Sequence, residues 1–214
     1  MYFQENKRLK SAEDKETLKE LKREIFDLAI PVEATIRKRF EMVKDWQTIY
    51  NIAYRNATCS TVSREVRSRI LKKTGDYEIG DVLICRSYLK IRRVVYHVNY
   101  EYTVSKVDGE SITLQGATEV PLEVIRKHFI HNFCRTCHSF QGTSIDDDIT
   151  IFDWKFFHVD RKWIWTAITR STDLKRVRFF EYSENPENME HMLQYFAEKV
   201  KKVHNAGLES YAAN

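Results

Sequence analysis

Apolar residues near the start of the chain recur three and four apart. Leu18, Leu21, Ile25 and Leu28 make one apolar face, with Lys and Glu on the other. That spacing predicts an amphipathic helix, and Ser11-Ala-Glu-Asp14 ahead of it reads as a capping box. Pro31 restarts the chain, and Val32, Ile36 and Phe40 predict a second helix. The period then changes. Thr48 to Tyr54 is a β-branched and aromatic run, hence a strand. Asn56-Ala-Thr58 ends it, and Thr58 is placed to cap a helix from Cys59 to Lys73 with Val62, Val66 and Ile70 inward.

From Gly75 the pattern is one of short strands without helices. The runs are Val82 to Arg86, Val94 to Tyr96, Tyr100 to Val107 and Ser111 to Leu114, with Asp108-Gly109 as a hairpin turn. They predict a small antiparallel barrel over 77–122. Further on, Ile149 to Trp154 reads as a strand, Asp160 to Ser171 as a helix and Val177 to Tyr182 as a strand. Strand, helix and strand in that order predict a parallel α/β sheet with functional groups at strand ends and helix termini. Asn185-Pro186 opens a final helix with Met192, Tyr195, Phe196 and Val200 as its apolar face.

Composition narrows the function classes. At 214 residues, with 43% hydrophobic and 13% aromatic residues, the chain is long and apolar enough for a real core and is not disordered. A net charge of +4 leans toward anionic partners such as nucleic acid. No apolar run approaches the roughly 18 residues of a membrane span, and no signal-peptide pattern opens the chain. Four scattered cysteines fit a reducing, intracellular compartment (cytoplasm, nucleus or viral factory) better than a disulfide framework. None of the six glycines belongs to a G-x-x-x-x-G-K-[ST] phosphate loop. A complete P-loop ATPase is therefore excluded for this stretch of chain.

One cluster invites a metal reading. His128, His131, Cys134 and Cys137 fall three apart, and Cys134-Arg-Thr-Cys137-His138 spells the C-x-x-C-H of covalent haem attachment. Haem needs an oxidising export compartment and an axial partner. Zinc needs four converging ligands, and a lone C-x-x-C supplies half of them. If Ile130 to Arg135 is one strand, residues three apart point to opposite faces. Thiols packed as small core residues beside a polar turn are the simpler reading, and no metal ligand is assigned.

The stretch from Arg135 to Arg170 carries a resemblance. Thr136, His138, Gln141 and Gly142 match the T-x-H-x-x-Q-G of motif V in superfamily-one helicases of the RecD-like group. Thr166-Ala-Ile-Thr-Arg170 is similar to their motif VI, T-A-[IV]-T-R, which carries an arginine finger. Glu5-Asn-Lys-Arg8 resembles the opening of the second RecA-like domain, where an arginine reaches the γ-phosphate. The strand and helix around Arg55, Asn56, Thr58 and Ser63 resemble motif IVa. A barrel inserted before motif V agrees with the same pattern. The chain departs from it at Ser139-Phe140, where the family has Lys-Ser.

The resemblance implies a RecA-like parallel sheet flanked by helices and interrupted by the barrel: residues 1–76 and 123–214 as the two parts of a second RecA-like domain, and 77–122 as the insert. It implies an ATP-dependent DNA helicase moving 5′ to 3′, whose ATP and Mg²⁺ are held mainly by an N-terminal P-loop domain of the same parent chain. Arg170 and Arg8 are then the catalytic arginines, with Gln141, Gly142 and Arg170 at ATP. Single-stranded DNA, or RNA, falls to Thr136, His138, Arg55, Asn56, Thr58, Arg92 and Tyr96. The basic Arg86, Lys90, Arg92 and Arg93 beside Tyr88, Tyr96 and Tyr100 form the candidate strand path, since aromatics stack bases and cations neutralise phosphates. The rival reading from another class is a nucleic-acid-binding module without catalysis.

Overall fold

The computed structural model describes residues 12–115, 119–140 and 144–181. Arg8, Gln141, Gly142 and the helix expected after Asn185 lie outside the described residues.

The chain begins with α1 (Ala12–Phe26) and α2 (Val32–Arg39), joined by a short turn. Leu18, Leu21 and Ile25 are buried on one face of α1, as the spacing requires. Leu28 falls past the helix end and is 85% exposed, against the expectation that it extends that face. The end of α1 is closed from elsewhere. The Arg161 guanidinium donates to the carbonyls of Ile25, Asp27 and Ile30 at 2.6, 2.8 and 2.8 Å, satisfying groups that a helix terminus leaves open.

Next come β1 (Glu41–Val43), which the sequence reading missed, and β2 (Tyr50–Ala53). Helix α3 runs from Asn56 to Glu65, with Arg55 at its N-cap, and continues as a single π-helical stretch, Val66–Ile70. Thr58 therefore does not cap this helix; it lies inside the first turn and donates its hydroxyl to Asp153 at 3.0 Å. The π stretch turns Val66 and Arg67 inward together.

The antiparallel part follows: β3 (Val82–Cys85), β4 (Leu89–Ile91), β5 (Val94–Tyr96), β6 (Glu101–Asp108), β7 (Ser111–Leu114) and β8 (Glu119–Pro121). Helix α4 (Leu122–His128) then leads into β9 (Phe129–His131). The sheet order is β8-β7-β6-β3-β9, with β4 and β5 as a separate hairpin. Strand β9 lies past Leu122, where the sequence pattern of short strands had ended. Leu83, Tyr96, Val104, Ile112, Leu114, Val120, Ile125 and Phe129 fill this core.

Beyond Asn132-Phe133 the chain changes sheets. β10 (Cys134–Thr136) is followed by a 3-10 turn (Cys137–Phe140), then β11 (Ile149–Ile151), α5 (Arg161–Ile168) and β12 (Val177–Phe180). The stretch from Ile130 to Arg135 is thus divided between two strands in two sheets. Among the described residues, the parallel sheet has the order β1-β12-β11-β2-β10. Every pairing in it is parallel. Its middle strands are buried on both faces, as helix-covered parallel strands must be.

The period of two sorts the side chains. Ile52, Ile149, Ile151, Val177 and Phe179 face α1, α2 and α5. On the opposite face Asn51 and Thr150 join Thr48 in a buried polar network, Thr48 bonding both at 2.8 and 2.7 Å. Asn51 also donates to the Phe133 carbonyl at 2.9 Å, so the network ties β2 to the segment entering β10.

Candidate functional site

Three adjacent parallel strands, β10, β2 and β11, deliver polar residues at their carboxyl ends. Open α/β sheets bind ligands at that edge. After β2 comes Arg55; after β10, His138; after β11, Asp153. Asp153 is buried and has φ +58°, a left-handed conformation that Asp tolerates better than most residues. Its carboxylate accepts the Arg55 backbone N–H at 3.0 Å, the Arg55 Nε and Nη2 at 3.2 and 2.7 Å, and the Thr58 hydroxyl at 3.0 Å. The guanidinium also lies 4.6 Å from the Phe156 ring centroid. Arg55 is thereby aimed but not hidden, since its side chain keeps 46% exposure. A fixed, half-exposed fork suits a phosphate. Asn56 is exposed beside it.

A pocket of about 410 Å³ lies between α5 and the 3-10 turn. Tyr54, Cys137, His138, His158, Asp160, Lys162, Trp163, Thr166 and Arg170 line it. Asp160 caps α5, its Oδ1 accepting the Trp163 N–H at 2.7 Å. The remaining charge is basic, from Lys162 and Arg170, with two histidines at hand. Such a lining suits an anion. Arg170 is 9% exposed. Its Nη1 donates to the Phe140 carbonyl at 3.0 Å, and its own carbonyl accepts the Ile145 N–H at 2.8 Å. His138 of the 3-10 turn and Arg170 just after α5 therefore meet at one pocket, and Thr136 is half-buried.

The nucleic-acid candidates of the antiparallel part behave differently. Tyr96 is fully buried against Tyr102 and Phe129 and offers no face to a base, which corrects its assignment. Tyr88 and Tyr100 are each 65% exposed. Arg92 is exposed in the β4–β5 turn with φ +53°. Neither Arg92 nor Tyr96 lines the pocket.

The four cysteines are buried. Burial holds the Cys134 thiol far above its ordinary range and pushes Cys137 up to about 12, against the pull of nearby Arg170. Neither is a thiolate at neutral pH. Among the described residues no three His, Cys, Asp or Glu side chains converge as metal ligands. Asp146 accepts the Thr172 hydroxyl at 2.7 Å, and Asp148 pairs with Arg178 at 3.1 Å.

Sequence reasoning missed Tyr54, His158, Lys162 and Trp163 as pocket walls, and Asp153 as the anchor of Arg55. A strand running into Asp153 and a cap at Asp160 were the available signals. Arg8, Gln141 and Gly142 are not among the described residues.

No protein-family model matches the chain, and no curated protein matches its sequence. Solved structures do match. A Pif1 from Bacteroides bound to single-stranded DNA aligns with a TM-score of 0.51 at 10% identity, over 90% of this chain and 55% of that one. The likeness to Pif1 helicases is one of fold alone. The five parallel strands with their helices, and the antiparallel sheet beside them, match a RecA-like domain of those helicases. The Bacteroides Pif1 with ADP-AlF3 and single-stranded DNA aligns at TM-score 0.49 and 11% identity, over 89% and 55% of the two chains. Pif1 from Candida albicans aligns at 0.42 and 10%, over 78% and 54%. The chain spans about half the length of each of these structures.

Proposed function

We propose that this chain is the C-terminal motor domain of an ATP-dependent DNA helicase, moving 5′ to 3′, which supplies an arginine finger and strand contacts to an N-terminal P-loop domain. The single observation that carries the reading is the pocket where Arg170 and Lys162 converge. Phosphoryl transfer needs positioned positive charge against the charge that develops on the phosphoryl oxygens, and a guanidinium is always charged and planar. Arg170 stabilises that charge when the P-loop domain closes on the pocket, and Gln141 and Gly142 approach the same triphosphate. ATP with its Mg²⁺ supplies the phosphoryl group; the P-loop domain holds the ion.

Arg55, Asn56, Thr136 and His138 hold the phosphates of the tracked strand at the carboxyl edge of the sheet. Tyr88, Tyr100 and Arg92 extend that path along the antiparallel part. Single-stranded DNA as the partner draws support from the DNA-bound Pif1 with the same fold. A second reading, a nucleic-acid-binding module without catalysis, draws support from the bond of Arg170 to the Phe140 carbonyl, which is also what a structural arginine makes.

The test divides the parent chain. Removing this segment abolishes single-strand-stimulated ATP turnover, and the segment alone binds single strands with negligible turnover. Robust hydrolysis by either piece alone overturns the proposal.

A further inference from the structure

The antiparallel sheet touches the parallel one through an arginine that no site described above uses. Arg135, in the middle of β10, is 3% exposed. Burying a guanidinium is costly unless its donors are matched, and here two of them are. Nε donates to Asn132 Oδ1 at 2.7 Å, and Nη2 donates to Glu101 Oε1 at 2.6 Å. Burial pulls its pKa down, while Glu101 opposes the loss of charge. Glu101 is the first residue of β6, so the pair crosses from one sheet to the other.

The same guanidinium carbon lies 5.0 Å from the Phe140 ring centroid, over the ring. Phe140 is itself buried in the core under α5, and its carbonyl accepts from Arg170 at 3.0 Å. An unbroken line of contacts therefore runs Glu101, Arg135, Phe140, Arg170. Ser would provide the carbonyl but no ring for Arg135 to grip; this chain has Phe at that place.

We propose that Arg135 is a positioning residue for Arg170, acting through the Phe140 ring and carbonyl, and that Glu101 makes the setting of Arg170 depend on the antiparallel sheet. The proposal rests on the reading of Arg170 as the phosphate-facing arginine. Tyr100 immediately precedes Glu101 in the chain, so a strand held at Tyr100 is felt at the finger.

The experiment is single-strand-stimulated ATPase of the full parent chain, comparing Arg135→Met, Phe140→Leu, Phe140→Tyr and Glu101→Gln, each alone and, for Arg135→Met, together with Arg170→Ala. Arg135→Met and Phe140→Leu lower kcat by about tenfold, with KM for ATP and affinity for a dT oligonucleotide within about twofold. Phe140→Tyr keeps the ring and turns over like the parent. In the Arg170→Ala background Arg135→Met costs nothing further. Glu101 is half-exposed, so Glu101→Gln leaves the fold intact even if Arg135→Met does not, and it lowers kcat by about threefold.

An unchanged kcat in Arg135→Met or Glu101→Gln, with Arg170→Ala inactive, overturns the relay and leaves the proposed function standing. A further loss on adding Arg135→Met to Arg170→Ala, or a parallel rise in KM, makes Arg135 structural and also overturns it. A harmless Arg170→Ala sinks the proposed function itself, and the relay with it.

Discussion

Arg55 shows how a surface arginine becomes a tool. Left to itself, a half-exposed guanidinium samples many rotamers; the buried Asp153 carboxylate and the Phe156 ring remove that freedom and pre-organise the fork. Replacing Arg55 with Ala removes one phosphate contact from the proposed strand path. The expected outcome is weaker binding of single-stranded DNA, with the slope of log K against log salt flattened by about 0.7. A fluorescence-anisotropy salt titration measures it, and an unchanged slope removes Arg55 from the interface. The thiols call for the opposite behaviour. With Cys137 at about 12 and all four cysteines buried, the native protein at pH 8 resists alkylation, and all of the thiols react once it is denatured. Rapid native labelling of Cys137 contradicts the burial argument. At this scale the sequence was half legible. His138 and Arg170 stand out as motif letters, but Asp153 is one carboxylate among many until β11 and β2 are paired.

Elements were read best where one period governs a long run. Helix α1 follows its three-and-four spacing, and β2 and β12 follow their β-branched and aromatic runs. The exceptions have physical reasons. Strand β1 is three residues long, too short for a period to show. Thr58 prefers a buried carboxylate to an N-cap because Asp153 already sits over the start of α3. The π stretch after α3 exists to turn Arg67 toward Asp81, a pairing across fourteen residues that no local pattern reveals.

That knot of Arg67, Lys73 and Asp81, with the Glu78 N–H, fixes α3 to the start of the antiparallel sheet. Burial alone raises the Asp81 pKa, but the Lys73 bond, the Glu78 N–H and Arg67 together outweigh it and lower the value. A carboxyl whose folded pKa is depressed stabilises fully above its unfolded value and loses that contribution as pH falls through the folded one. Asp81→Asn therefore costs about 3 kcal/mol at neutral pH, and the gap to the parent closes as pH drops below about 4. Nearby His131 is held neutral, by burial first and Arg67 second. Its unfolded form takes up a proton first, so parent stability already begins to decline below about pH 6.5. Thermal melts across pH check both stages; an Asp81→Asn gap that does not begin to narrow below about pH 4 contradicts the assignment.

For the whole molecule, strand, helix and strand in sequence announced a parallel sheet, yet the order β1-β12-β11-β2-β10 was not readable. It depends on contacts between residues more than a hundred positions apart, such as Glu41 with Arg178 and Thr48 with Thr150. The candidate site was legible in its motif residues and not in its walls, because Tyr54, Lys162 and Trp163 become neighbours of His138 only once α5 lies against the turn after β10. The central claim concerns what this assembled pocket does, and Arg170 is the residue that decides it. The measurement is single-strand-stimulated ATPase of the full parent chain, intact and with Arg170→Ala, with folding monitored in parallel. The account predicts a fall in turnover on the order of 10³, the loss expected for an arginine finger, in a protein that melts like the parent. Unchanged turnover makes Arg170 a structural residue at the end of α5 and leaves the nucleic-acid-binding scaffold as the better description.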